Sequence, residues 1–513
     1  MHSRSMCLAR NLLLVMTVAA CAPKTSTPET NGAITPPPGS VGVGVGAAGA
    51  SGAAAGAAGR AGSTAVGIAG RNGMVGTGLA GRGAAGAPVT GGLAGMVAAA
   101  GANAAAGMGA AGAVGAAGAA GSNPSSSHSG SDPVKFGKNI KLNDDSGRAR
   151  QTEVALASGP GGLVLAGWMD ERSDRTCSFS YSTDNGETWS KNVTIGNTAN
   201  FVGDPAVAID GGGNMYAICQ QYITAGSSGN IKLMTSMDKG ATWSQVSMIQ
   251  SAPDKPWAGG GVEPGTLFVS WLGNPGGVKK SIDFGKTWKT TQSTGNIVHG
   301  TAITTSTTGL VHVPYNADAD RNQLRYLRSK DNGETWEKAR DLLPDMGRFC
   351  FQCNPRQHPI VGAGSDPTGK YVAITWSSTF MGGEGDDDVW VMYSKDGGET
   401  WTKPLKVNDN ETRARNFEPW VAVDAFGRVH VAWTDYRNNG ENATYYARSA
   451  DPEKGFEKNI EITEKRGSGQ TDFLGDYKGI VVSGDDVIVV WQDTRTDSGD
   501  IYIAKAVGAA GPP

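Results

Sequence analysis

The element Ser-x-Asp-x-Gly-x-Thr-Trp occurs five times, at Ser182–Trp189, Ser236–Trp243, Ser281–Trp288, Ser329–Trp336 and Ser394–Trp401. Each position has a physical role. The Asp carboxylate is short enough to accept hydrogen bonds from amides of its own turn. Gly takes a backbone angle that other residues resist, and Trp folds back over a hairpin. Repetition at this fidelity restricts the chain to an array of like units, since one such unit cannot bury its apolar face alone.

Each box closes part of a longer unit. The segment 418–424 (EPWVAVD) runs through a turn at Ala425-Phe426-Gly427 into 429–433 (VHVAW), and then into 444–449 (TYYARS). The same succession recurs at 476–482, 487–491 and 500–506. Alignment places first strands near Glu153, Asp204, Lys255, Gly300, His358, Glu418 and Asp476. That is seven units of about fifty residues, mostly of four strands; the last two have lost the box. The boxes resemble the Asp-box (BNR) repeats of the sialidase superfamily of β-propellers, and the resemblance spans 136–507. It implies an all-β fold. Seven blades are expected, with six, the sialidase number, as the alternative. Residues 138–153 (KNIKLNDDSGRARQTE) match 403–418 (KPLKVNDNETRARNFE), the last strand of blade five leading into blade six. The N-terminal strand is therefore expected to complete blade seven by pairing near Ile501–Ala504, which leaves no open sheet edge.

Composition divides the rest. The chain has 13 Trp, 12 Tyr and 12 Phe, and the first of them is Phe136. Residues before it cannot build a packed core. Residues 1–21 read as an export signal: Arg4 and Arg10 precede an apolar run, Leu12 to Ala20, ending Val18-Ala19-Ala20-Cys21. This resembles a bacterial lipobox, with Cys21 as the lipidated residue. Ala22 leans toward the outer membrane, so an outer-membrane or cell-surface location is expected. Residues 22–135 form a Gly/Ala/Ser-rich tether, and 508–513 a tail. With 45 basic and 48 acidic residues, the net charge of −3 and the lack of a basic block exclude a nucleic-acid partner. A monomer is expected.

The residues opening the first strands should surround the mouth of the central channel. Glu153, Asp204, Glu418 and Asp476 are candidate catalytic carboxylates, because glycosidic cleavage needs one acid and one base or nucleophile. The competing reading is that they cap strand ends or pair with nearby Arg. His358 stands among them as a candidate substrate contact. A second pattern, Trp-x-Asp-x-Arg, occurs at Trp168–Arg172, Trp433–Arg437 and Trp491–Arg495. Together with Arg148, Arg150, Arg413 and Arg415, it gathers guanidinium groups on blades one, six and seven. Guanidinium forks suit an acidic sugar, although a repeated structural ion pair with the motif's own Asp explains the pattern equally well. The boxes should lie on the opposite face. The Arg-Ile-Pro motif of sialidases is absent, and no Tyr–Glu pair can be assigned to the family's nucleophile, although Tyr222, Tyr315, Tyr436 and Tyr477 fall on the mouth face.

Cys350 and Cys353 are expected to form a local disulfide that steadies Arg356 and His358, whereas Cys177 and Cys219, on strands of adjacent blades, are expected to stay buried as free thiols, with a bridge between them as the alternative. Residues 385–388 (GDDD) suggest calcium less than an exposed acidic loop, so neither metal nor cofactor is expected. Two functions remain open: a glycoside hydrolase acting on an extracellular, possibly acidic, glycan, and a non-catalytic propeller that binds glycan or a surface protein.

Overall fold

The computed structural model describes residues 132–147, 149–172, 176–195, 201–222, 229–249, 254–317, 322–349, 355–379, 387–411, 413–468, 473–496 and 499–513. The expected signal peptide, Cys21 and nearly all of the tether lie outside them. So do Arg148, Cys350 and Cys353.

The described residues form seven antiparallel sheets in a closed ring, a seven-bladed β-propeller. Blade one runs Gln151–Gly159, Leu163–Asp170, Thr176–Ser182 and Val193–Thr194. Five other blades repeat this four-stranded order. Blade three has three strands, the middle one being Leu267–Ser281. The closure expected from the repeat is present: Ile140 pairs with Ile503, Lys141 with Tyr502, and Leu142 N–H donates to the Ile501 carbonyl at 2.8 Å. Asn143 locks it further, donating to Asp500 and accepting from Ile501 N–H, both at 2.8 Å.

The boxes behave as their chemistry requires. In the fourth copy, Ser329 Oγ accepts from Gly333 N–H at 2.8 Å, and Asp331 accepts from the Thr335 amide and hydroxyl. Asn332 and Gly333 both adopt left-handed angles, φ 55° and 79°. A Cβ on Gly333 would lie 2.4 Å from Phe268 of the neighbouring blade, so glycine serves both the turn and the close approach.

First strands carry a second repeated device, invisible in the sequence. In blades one, two, three and six the ladder skips a residue, so that two residues on the first strand oppose one on the second. The first residue of each bulge is Glu153, Asp204, Lys255 or Glu418, and each is left-handed, with φ between 45° and 54°. Bulky residues resist such angles. Their recurrence at one position shows that the ring imposes them. Pro205, Pro256 and Pro419 stand second in three of the bulges, where no ladder bond is lost.

Blades one and two are also joined covalently. Cys177 and Cys219 form a disulfide, with Cα atoms 5.9 Å apart. This corrects the expectation of free thiols. The two strands are distant in sequence, but adjacent blades bring their inner halves together.

Candidate active site

The bulges of blades one, two and three and the loops entering blades five and seven send charged side chains from five blades to one place. Ligand oxygens of Glu153, Asp204 and Asp476 lie within 4.8 Å of one another, and all three residues are buried. Such a set is close enough to share a single cation. Lys255 takes that place: its ammonium is 2.5 Å from Asp476 and 3.3 Å from Asp204. Arg356 donates to the same Asp476 oxygen at 2.8 Å, and Tyr477 OH donates to Asp204. The Tyr477 ring lies beneath the ammonium at 5.2 Å and packs on Trp257, which in turn meets Trp420. Glu153 accepts from the Asp204 amide at 3.0 Å.

The electrostatics separate the carboxyl groups. Burial, then the neighbouring Asp204, pushes Glu153 up to about 8. Burial alone would raise Asp476 too, but the surrounding cations outweigh it and hold it well below the usual carboxylate range. His358, 3.8 Å away, is itself pushed down to about 3 by burial and so is neutral at pH 7. At that pH the charged partners of Asp476 are Lys255 and Arg356. Asp476 and Lys255 have side chains only 1% and 8% exposed, whereas that of Arg356 is 41% exposed. Arg356 thus connects solvent to the buried cluster. Its guanidinium sits 4.5 Å over the Phe473 ring, and that of Arg150 lies 5.4 Å from the same ring.

The sequence candidates divide. Glu153, Asp204 and Asp476 meet, with His358 at their edge. Glu418 stands apart from that trio, accepting from Thr434 at 3.0 Å; burial pushes it up to about 8 against the pull of Lys478. Lys478 is itself lowered to about 8 by burial.

The three motif arginines are a correction. Arg172, Arg437 and Arg495 each put their Nε on the Asp of their own loop, at 2.7, 2.9 and 2.8 Å. Arg172 and Arg437 then reach the outermost segment of the preceding blade, whereas Arg495 reaches the closing strand of its own blade, whose Asn139 bonds blade six in turn. Arg172 bonds Asp144, Arg437 bonds Asp409 and Asn459, and Arg495 bonds Asn139. The partner Asp170, Asp435 and Asp493 are buried. These forks brace blade against blade and are not offered to an acidic sugar.

Arg150 is likewise forked onto Glu171, and Arg415 donates to the Pro355 carbonyl at 2.6 Å. Arg413 is exposed. Tyr315 is buried and donates to Thr294, and Tyr436 stacks on Phe417, so neither joins the cluster. The side chain of Tyr222 lies outside the described residues. The acidic loop at 385–388 is not an exposed one at its described end. Asp387 is buried against Gln357 and Asp388 against Asn408.

Sequence reasoning placed Lys255 at the mouth but gave it no role, and it saw Arg356 only as a neighbour of the Cys350–Cys353 loop. Alternation of charge among the aligned first-strand residues was the available signal for Lys255. For Arg356 there was none, because its partner Asp476 is 120 residues away.

Comparison with known proteins agrees with this architecture. The BNR/Asp-box repeat family matches residues 180–191 and 392–403. A sialidase of Clostridium perfringens is 26% identical over 190 residues, covering 32% of this chain and 48% of that protein. A sialidase of Paraclostridium sordellii is 28% identical over 190 residues, covering 32% and 45%. The chain thus spans about half the length of these relatives. Among solved structures, the Hadza microbial sialidase Hz136 is similar with a TM-score of 0.38 and 17% identity, over 61% of this chain and 66% of that one. With its repeated boxes and its ring of seven sheets, the chain is a seven-bladed β-propeller carrying BNR/Asp-box repeats, similar in sequence to sialidases.

Proposed function

We propose that the protein is a glycan-directed propeller that acts as a glycoside hydrolase at the channel mouth. The observation that carries this reading is the trio of carboxyl groups within 4.8 Å, of which Glu153 and Asp476 have opposite protonation preferences. Glu153 retains a proton at neutral pH and is the general acid. Asp204, held by Tyr477 and Lys255, is the nucleophile. The short separation fits the double-displacement geometry of about 5 Å, which leaves no room for a water between the groups. Arg356, with Phe473 and His358, forms the rim that receives the sugar. Its guanidinium suits a carboxylate or ring hydroxyls. The sialidase relatives support a glycan as the substrate class.

One observation favours a second reading, binding without cleavage. The trio is buried and tied by ion pairs, as in a network that holds blades together.

The two readings separate in one experiment on the full chain: a panel of fluorogenic sialosides, uronides and arabinofuranosides, with glycan-array binding alongside. A hydrolase turns over at least one substrate, and Glu153→Gln lowers kcat by about 10²-fold or more while the fold is kept. Glycan binding without turnover, abolished by Arg356→Ala, supports the second reading. Neither turnover nor binding sinks both.

We also propose that the chain is exported and anchored through Cys21, with 22–135 as tether. The buried Cys177–Cys219 disulfide supports an oxidising compartment. The check is detergent-phase partition of the wild type and Cys21→Ser expressed in a Gram-negative host. Equal partition would contradict the anchor.

A further inference from the structure

The cluster contains three carboxyl groups and two permanent cations. Lys255 touches Asp204 and Asp476, and Arg356 touches Asp476 again. Among the described residues no cation lies within ion-pairing distance of Glu153, whose recorded bond is from the Asp204 amide. A buried site must stay close to neutral, because the desolvation of an uncompensated charge costs far more than a proton transfer. Two cations balance two carboxylates, so the third must hold a proton.

We infer that Lys255 is a positioning residue that acts as an internal counter-cation, assigning the single proton of the cluster to Glu153. The lysine stands where a shared metal ion would otherwise stand. It is held by its bulge, at φ 46°, and by the Tyr477 ring beneath its ammonium. Because an ammonium presents a fixed unit charge, the site keeps one acid and two carboxylates without an exchangeable ion. The inference deepens the proposed hydrolase reading, since the general acid is the group so selected. It does not depend on turnover being observed.

The groups that face Lys255 are Asp204 and Asp476 in direct contact, Glu153, Tyr477, and Asp254 beside it in the chain. His299, His358 and Arg356 complete the surroundings. His299 and His358 are neutral at pH 7 in the wild type, pushed down to about 4 and about 3 by burial; Asp476 pulls His358 the other way, and Lys255 lowers both.

The test is the proton linkage of folding, measured in the full chain as the slope of unfolding free energy against pH between about 5.5 and 7.5. Replacing Lys255 by Met removes one positive charge, and the folded site should recover it by binding about one further proton. Unfolding should then release about one proton more than in the wild type, while Lys255→Arg should leave the count unchanged. Identical proton release by Lys255→Met and wild type would overturn the inference. If Lys255→Met does not fold, infrared spectra of the wild type and three carboxyl variants decide. The buried protonated-carboxyl band should lose one component in Glu153→Gln, leaving that of Glu418, and lose the same component in Asp204→Asn and Asp476→Asn, where two cations face only two carboxyl groups. A band unchanged in Glu153→Gln would equally overturn it. Neither measurement involves a substrate. A hydrolase reading that failed would leave these outcomes unchanged, and failure of the linkage would leave turnover to be judged separately.

Discussion

The box turns and the channel cluster are both built from short acidic side chains, yet they solve opposite problems. In a box, Asp331 finds its partners within four residues, and it is exposed enough that water screens what remains. In the channel, Asp476 meets Lys255 across 221 residues and Arg356 across 120, with 1% of its side chain exposed. A box therefore folds from local sequence and repeats without loss of meaning. The cluster exists only when the ring has closed, and its charges must balance because no solvent does so for them. The blade braces stand between these cases. Arg172 and Arg437 each join a local Asp to the blade before it, and Arg495 joins its own to the N-terminal strand that closes the ring.

This ordering from local to global can be broken in steps. The largest loss should follow Arg495→Met, which leaves Asp493 buried and deprived of its guanidinium. A cost of about 4 kcal/mol is expected, measured by denaturant unfolding. A change within about 0.5 kcal/mol would return the arginine to the pool of potential ligand contacts. Next is Leu142→Pro, which removes the donor to Ile501 and obstructs the closing strand. About 3 kcal/mol should be lost, with hydrogen exchange rising first in Asp500–Ala506. Uniform exchange across all blades would show that closure is not local to blade seven. Asp331→Ala should cost about 2 kcal/mol through the two lost bonds to Thr335. Glycan binding or turnover should be unaltered in protein that remains folded, and altered binding at an unchanged Tm would contradict the separation of box and mouth.

The smallest effect is a slope, and its sign is definite. The folded state keeps the Glu153 proton up to about 8, whereas the unfolded chain releases it near the ordinary glutamate value of 4.5. Between those values the native state binds more protons, so stability falls as pH rises, by about 1.4 kcal/mol per pH unit for one proton. Glu153→Gln should remove that component of the pH profile. An unchanged slope would place the cluster's proton elsewhere.

Much of the architecture was legible before any coordinates. The five boxes, the seven alignable strand starts and the match of 138–153 to 403–418 all record short-range or repeated interactions, and repetition makes them visible in one sequence. The mouth residues Glu153, Asp204 and Asp476 were legible for the same reason, as equivalent positions in successive units. The Trp-x-Asp-x-Arg loops were legible as a pattern but not as a role, because a guanidinium fork satisfied by its own Asp and one open to a ligand are written with the same letters.

What the sequence by itself determined, then, is whatever depends on neighbours within a blade: the turns, the alternation of strands and the number of units. Tertiary structure alone decided the pairing of Cys177 with Cys219, the left-handed bulges that aim the first-strand side chains, and the seating of Lys255 and Arg356 on Asp476. Those contacts join residues far apart in the chain. Their strength comes from exclusion of water, and only the closed ring, through its packing, supplies that condition.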